Sequence, residues 1–142
     1  MKKVIFAFMK ESPLYRKYGE DPEFKCISGG RYNGYVGFSS ILPNTCQGGA
    51  DYELEETLDN MIEVHGGITY DGKVSEFTEI IPLTDIPKYW YKYRIIGFDC
   101  QHCYDTQDNC TKEYAKKETL SLLRQIREII NKKADLGNTD GR

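Results

Sequence analysis

From Thr111 to Lys133, Ala115, Thr119, Leu122, Leu123, Ile126, Ile129 and Ile130 recur at steps of three and four residues, which places them on one stripe of an α-helix. A helix with a single such stripe draws most of its stability from burying it, so the rest of the chain must supply a face. Glu113 near the start and Lys132 and Lys133 near the end suit the helix dipole. Asp108 and Asn109 are the candidate N-caps. Residues 135–142 are expected as a flexible tail, leaving residues 1–134 as a single domain.

The face comes from strands. Val4 to Phe8, Tyr35 to Phe38, "MIEVHGGITY" from Met61, "SEFTEII" from Ser75 and "YWYKYRIIGFD" from Tyr89 carry the β-branched and aromatic enrichment of β-structure. Asn33-Gly34 and Asp71-Gly72 read as turns. Gly66-Gly67 reads as an interruption within a strand, either a bulge or a close backbone approach. A charged, turn-rich stretch is expected over "KESPLYRKYGEDPEF", and a short helix through "DYELEETLDNM". With no internal repeat, the expected fold is α+β: a mostly antiparallel sheet of about five strands with the C-terminal amphipathic helix packed on one face.

Net charge is −3, and Lys and Arg form no block longer than a pair in the folded region, so a duplex nucleic acid held by phosphate neutralisation is not an expected partner. The apolar run from Val4 to Met9 is too short for a secretion signal and is followed by Lys10 and Glu11. No segment reaches the roughly 20 apolar residues that span a bilayer. Five cysteines, Cys26, Cys46, Cys100, Cys103 and Cys110, form an odd, uneven set that fits reduced thiols. The expected location is the cytoplasm, with no membrane partner. Eleven tyrosines suit half-buried strands, ligand pockets or a sheet face that pairs two copies, so a homo-oligomer is an expectation too.

The chemistry concentrates in "GFDCQHCYD", residues 97–105, and in "VHGGITY", residues 64–70. An aspartate beside a histidine fixes the imidazole tautomer and raises its basicity, and a second carboxylate can hold a metal or orient a ribose hydroxyl. His65, Asp99, His102 and Asp105 are therefore the candidate catalytic residues and the candidate ligands for a divalent metal such as Mn²⁺, Zn²⁺ or Fe²⁺. The plainer reading of the same residues is a polar turn capped by aspartates. Gly66 and Gly67 could open backbone N–H groups to an anion, and the glycines of "SGGRYNGYVG", with Arg31 beside them as a bidentate partner, could do the same, or that stretch is a hairpin loop. Cys100-x-x-Cys103 with Cys110 and a histidine could ligate zinc, but no second well-spaced pair accompanies it.

Taken in order, "NGYVG", "VHGGITY", "GFDCQHCYD" and "EYAKKETLSLLRQI" resemble a family of small uncharacterised proteins encoded by phages and prophages, over roughly residues 33 to 130. The resemblance carries over Asn33, Gly34, His65, Gly66, Gly67, Thr69, Tyr70, Asp99, Cys100, His102 and Asp105; Cys103 and Cys110 lie outside its pattern. With the backbone-exposing glycines, the two histidines, the aspartates and the tyrosines, it points to a protein of the host bacterial cytoplasm that binds a small, polar, nucleotide-like ligand through Asn33, His65, Gly66, Gly67, Thr69, Tyr70, Asp99 and His102, with Arg31, outside the resembling stretch, as a further candidate. Such a protein would sequester a cyclic or ADP-ribose-type immune signal. The alternatives are a metal-dependent phosphoesterase using the His/Asp cluster, and a structural or host-protein-binding module.

Overall fold

The computed structural model describes residues 3–23, 29–51, 53–74 and 79–141, the last seven by backbone alone. Cys26 and the first four residues of the strand expected over "SEFTEII" lie outside the described residues. Strands β1 (Ile5–Glu11), β2 (Tyr32–Phe38), β3 (Tyr70–Gly72), β4 (Ile81–Pro82) and β5 (Arg94–Phe98) form one open sheet in the order β3-β5-β2-β1-β4, every described pair antiparallel. A short helix α1 (Pro13–Tyr18) follows β1, and the long helix α2 (Lys112–Gly141) lies against β1 and β2. This is the expected α+β architecture.

Side chains alternate along a strand, so the sheet has two apolar faces. Ala7, Val36 and Ile96 form one row across β1, β2 and β5, and with Phe38 and Phe98 they pack on Leu122, Leu123, Ile126 and Ile130 of α2. The helical stripe is therefore buried as its spacing predicts. On the other face Phe6, Phe8 and Ile95 meet Tyr35, Tyr70, Trp90 and Tyr93. Phe8 stacks on Tyr35 at 5.4 Å and meets Trp90 edge-on at 5.1 Å, an arrangement that adds to plain area burial.

Several local expectations are corrected. Asn33 and Gly34 are not a turn but sit inside β2, paired with Lys10 and Met9. Asp71 and Gly72 belong to β3 and pair with Ile96 and Ile95. Of "YWYKYRIIGFD", only Arg94–Phe98 is strand; Trp90–Lys92 is a 3₁₀ turn that drops Trp90 onto Phe8. Within "DYELEETLDNM" the described helix is the 3₁₀ turn Leu58–Asn60. The helix expected to end near Lys133 continues to Gly141. Thr111, rather than Asp108 or Asn109, caps it, its Oγ1 accepting from the Tyr114 N–H at 3.1 Å.

The strand expected from Met61 to Tyr70 is irregular until its last residue. At Glu63 and His65 its backbone is satisfied by side chains of α2 instead of by a ladder. Gln125 Oε1 accepts from the Glu63 N–H and Gln125 Nε2 donates to the Glu63 carbonyl, both at 2.8 Å. Glu118 Oε1 accepts from the His65 N–H at 2.9 Å. Ile62 and Ile68 are buried beside α2 in the same cluster, so the segment runs along the helix and delivers His65 to its first turns.

Gly34 sits where β2 passes under α2. A Cβ there would lie 2.0 Å from Thr119 Oγ1 and 2.5 Å from the Phe98 ring. Gly34→Ala is expected to lower the unfolding free energy in urea by about 2–3 kcal/mol, and Thr119→Ala in the same chain should recover part of it. A loss under about 0.5 kcal/mol would show that α2 does not press on β2 at this point.

Candidate functional site

Two turns and the start of α2 meet at the site. The first, Val64–Gly67, is closed by the Gly67 N–H on the Val64 carbonyl at 2.9 Å, with Gly66 and Gly67 at φ +67° and +81°. The second follows β5, where the Asp105 N–H donates to the His102 carbonyl at 2.9 Å. The next residues fasten themselves: Thr106 N–H donates to Asn109 Oδ1 at 2.8 Å and Asn109 Nδ2 to the Tyr104 carbonyl at 2.9 Å. Gly66 is required here, since a Cβ would fall 2.1 Å from Cε1 of His102. That contact stacks the first turn directly on the second.

Asp105 is the hub. His65 Nε2 lies 2.9 Å from both of its carboxylate oxygens, while the ring Nδ1 and the backbone N–H of His102 reach Oδ2 at 2.9 Å each. The carboxyl is 8% exposed. Burial alone would raise its pKa, but the bonds from His65 and His102 outweigh that and hold it at about 2. Asp105 is thus an ionised acceptor at neutral pH.

An ionised carboxylate only accepts, so the facing ring nitrogens must carry hydrogen. His65 therefore donates from Nε2, and its Nδ1, in the neutral ring, accepts from the Tyr114 hydroxyl at 2.8 Å. His102 donates from Nδ1, which leaves Nε2 as an unprotonated acceptor in the neutral ring. Asp99 Oδ1 stands 3.6 Å from that Nε2, beyond hydrogen-bond distance. The side chains of His102 and Asp99 are 34% and 37% exposed, against 19% for His65. The outward rim of the cluster is therefore a pair of acceptors, an imidazole nitrogen and a carboxylate.

The structure brings together His65, His102, Asp105 and, at the rim, Asp99 and Gly66. The other expected ligand-binding residues work elsewhere. Arg31 is committed to Glu11 at 2.9 Å and lies over the rings of Tyr15 and Tyr32. Asn33 Oδ1 accepts from the Cys100 N–H at 3.1 Å, the Thr69 N–H donates to the Gly97 carbonyl at 2.9 Å, and Tyr70 packs edge-on to Tyr35 at 5.7 Å. The Gly67 N–H is spent on its own turn.

Among the described residues two donor groups could hold a metal, and they share His65: His65, His102 and Asp105, and His65, Cys100 and Cys110, the donor atoms of each within 4.8 Å of one another. The first has the two-imidazole, one-carboxylate chemistry of Mn²⁺, Fe²⁺ or Zn²⁺ sites. Asp99 belongs to neither, since it faces the His102 nitrogen that points away from Asp105. Cys103 is exposed, while Cys100 and Cys110 are buried. Burial raises the thiol pKa of both, with the charge of Asp105 adding to the effect, and Cys110 stands at about 11.

No family model, curated protein or solved structure matches this chain. The chemistry of the site accordingly rests on its own geometry. No helix among the described residues is long and apolar enough to cross a membrane. Sequence reasoning missed Tyr114, whose hydroxyl meets His65 Nδ1 at 2.8 Å from the first turn of α2, and also Arg94 and Asp71. An arginine opening the apolar run "RIIGF" was the available signal for that pair, since a charge entering a core strand needs a partner.

Proposed function

We propose that the protein binds a small nucleotide-like ligand through its sugar hydroxyls at the rim formed by Asp99 and His102, and holds it without converting it. The observation that carries this reading is the 2.9 Å contact of His102 Nδ1 with the Asp105 carboxylate, which sets the tautomer of the neutral ring. It leaves His102 Nε2 and the Asp99 carboxylate as neighbouring, half-exposed acceptors, and a ribose offers matching O–H donors. His65, Tyr114 and Asp105 act behind the rim, orienting His102. Within a phage, to which the motif resemblance points, holding a bacterial immune signalling nucleotide would withdraw it from its receptor.

Hydrolysis is the second reading, favoured by the convergence of His65, His102 and Asp105 as a metal donor set. In it, the ion would polarise a phosphoester and lower the pKa of a bound water. Asp99 is poorly placed as its base, because it lies at the other nitrogen of the His102 ring from Asp105.

The test is calorimetric titration with a panel of cyclic, dinucleotide and ADP-ribose-type compounds, followed by heat release and mass analysis of the bound compound. Binding is expected, with the ligand recovered intact. Asp99→Asn and His102→Ala should each weaken it about 10- to 100-fold, as loss of a hydrogen bond to a charged or strongly polar group implies. Recovery of cleaved product, abolished by a chelator, would establish hydrolysis instead. An empty protein that ignores the panel, with His102→Ala changing only the melting temperature, would leave the cluster as a structural lock and end both readings.

A further inference from the structure

We infer that Cys100, Cys110, His65 and Asp105 form a closed Zn²⁺ site beneath the ligand rim. Their donor atoms gather about His65 Nε2. His65 Nε2 lies 3.6 Å from Cys110 Sγ and 2.9 Å from the Asp105 oxygens, and Cys100 Sγ falls within 4.8 Å of both the imidazole and Cys110. Zn–N of about 2.0–2.1 Å and Zn–S of about 2.3 Å in a tetrahedron put the nitrogen and sulfur about 3.5 Å apart, close to the observed separation. Two thiolates in the set favour zinc over Mg²⁺ or Ca²⁺, which take oxygen ligands.

The surroundings are those of a built site. Cys100 is 0% exposed and Cys110 3%. Gly29 and Gly30 lie against the two cysteines: the Gly30 N–H donates to the Cys100 carbonyl at 2.7 Å, and a Cβ at Gly30 would come within 2.7 Å of the Cys110 Cβ and 2.8 Å of the Cys100 Cβ. Gly29 has φ +73°, and its Cβ would meet the Cys100 carbonyl oxygen at 2.4 Å. The glycine pair that resembled an anion loop in the sequence thus closes the thiol site. Each remaining donor also has an outer partner of the kind that orients metal ligands. Tyr114 holds His65 Nδ1, His102 holds Asp105, and Asn33 pins the Cys100 backbone.

On binding, Zn²⁺ displaces the two thiol protons to solvent. The His65 proton moves from Nε2 to Nδ1, where it is donated to the Tyr114 hydroxyl. The donors are His65 and three residues of the stretch 100–110, with Cys103 not among them, so the spacing rule for paired cysteines did not reveal them. His65 Nε2 can serve one ion only, so this site and the three-residue site of the hydrolytic reading exclude each other. The ligand-holding reading is separate, since it uses His102 Nε2 and the Asp99 carboxylate, neither of which is a donor in this set.

The experiment is metal analysis of the full chain purified under reducing conditions, with cobalt spectroscopy on the same protein. About one zinc per chain is expected, falling to below about a tenth in Cys110→Ser and Cys100→Ser and kept in Cys103→Ser, whose thiol is exposed. Co²⁺ should give a sulfur-to-cobalt charge-transfer band and the intense visible bands of a tetrahedral ion, both in wild-type protein, so that a variant failing to fold leaves the test intact. Cobalt bound without a thiolate band, or lost in His102→Ala and kept in Cys110→Ser, would move the ion to the His65, His102 and Asp105 set and overturn the inference. No binding of Zn²⁺ or Co²⁺ at all would overturn it too, while leaving the nucleotide titration to be judged by itself.

Discussion

Asp105→Asn should lower the unfolding free energy at pH 7 by about 3 kcal/mol or more, the cost of breaking a buried charged network by removing its acceptor. Four contacts at 2.9 Å converge on this carboxylate, and an amide replaces one acceptor oxygen with a donor that faces other donors. The pH dependence gives a second readout. The carboxyl titrates at about 2 in the folded chain, below its value of about 3.9 when unfolded. Its contribution is therefore fully present above about pH 4 and is lost as pH falls through 2, because the unfolded chain takes up the proton first. Urea unfolding at pH 7, 4, 3 and 2 should show the gap between wild type and variant constant down to about pH 4 and then closing. A gap that persists unchanged at pH 2 would show that Asp105 stabilises the fold by shape and not by charge.

Arg94→Ala should cost about 3–5 kcal/mol, since it leaves a buried carboxylate without its counter-charge. Arg94 pairs bidentately with Asp71 through Nε and Nη2 at 2.9 Å, and its Nη1 and Nη2 donate to the carbonyls of Leu42 and Pro43 at 3.0 Å. Asp71 also accepts from the Thr45 hydroxyl at 2.6 Å, and its side chain is 6% exposed. Burial would raise the Asp71 pKa, but the bonds from Arg94 and Thr45 hold it below the usual carboxylate value. Arg94→Lys keeps the charge but not the fork, and should recover only a minor part of the loss. Arg94→Met combined with Asp71→Leu should be more stable than Arg94→Ala alone, because no charge is then stranded. A thermal melt of Arg94→Ala within about 2 °C of wild type would refute this account of how the 42–45 loop is tied to the sheet.

What the sequence made legible follows from how local each signal is. The α2 stripe is a repeat along one helix, so Ala115, Leu122 and Ile126 could be placed in the core from spacing alone. His102 and Asp105 are three residues apart, and their pairing is a short-range matter of one turn. Gly34 and Asp71 were misread because the same residue types that make turns also fit a strand crowded by a helix or needing a buried anion. Their reasons lie in Thr119 and Arg94, distant in sequence. The Met61 segment misled in a similar way: its alternation is real, but Gln125 and Glu118 supply the bonds that another strand would have given. Cys110 was set aside for its spacing, and only the fold brings its sulfur to His65.

The sheet's margins have a further consequence. Its outer members are β4, two residues long and ending in Pro82, and β3, three residues long and ending in Gly72. Neither offers the long unpaired row of N–H and C=O groups that recruits a strand from another molecule, and a proline cannot donate at all. The longer strands β1, β2 and β5 are all interior. Among the described residues the sheet thus presents no long edge to a second copy, and the helical and aromatic sides are its broader surfaces.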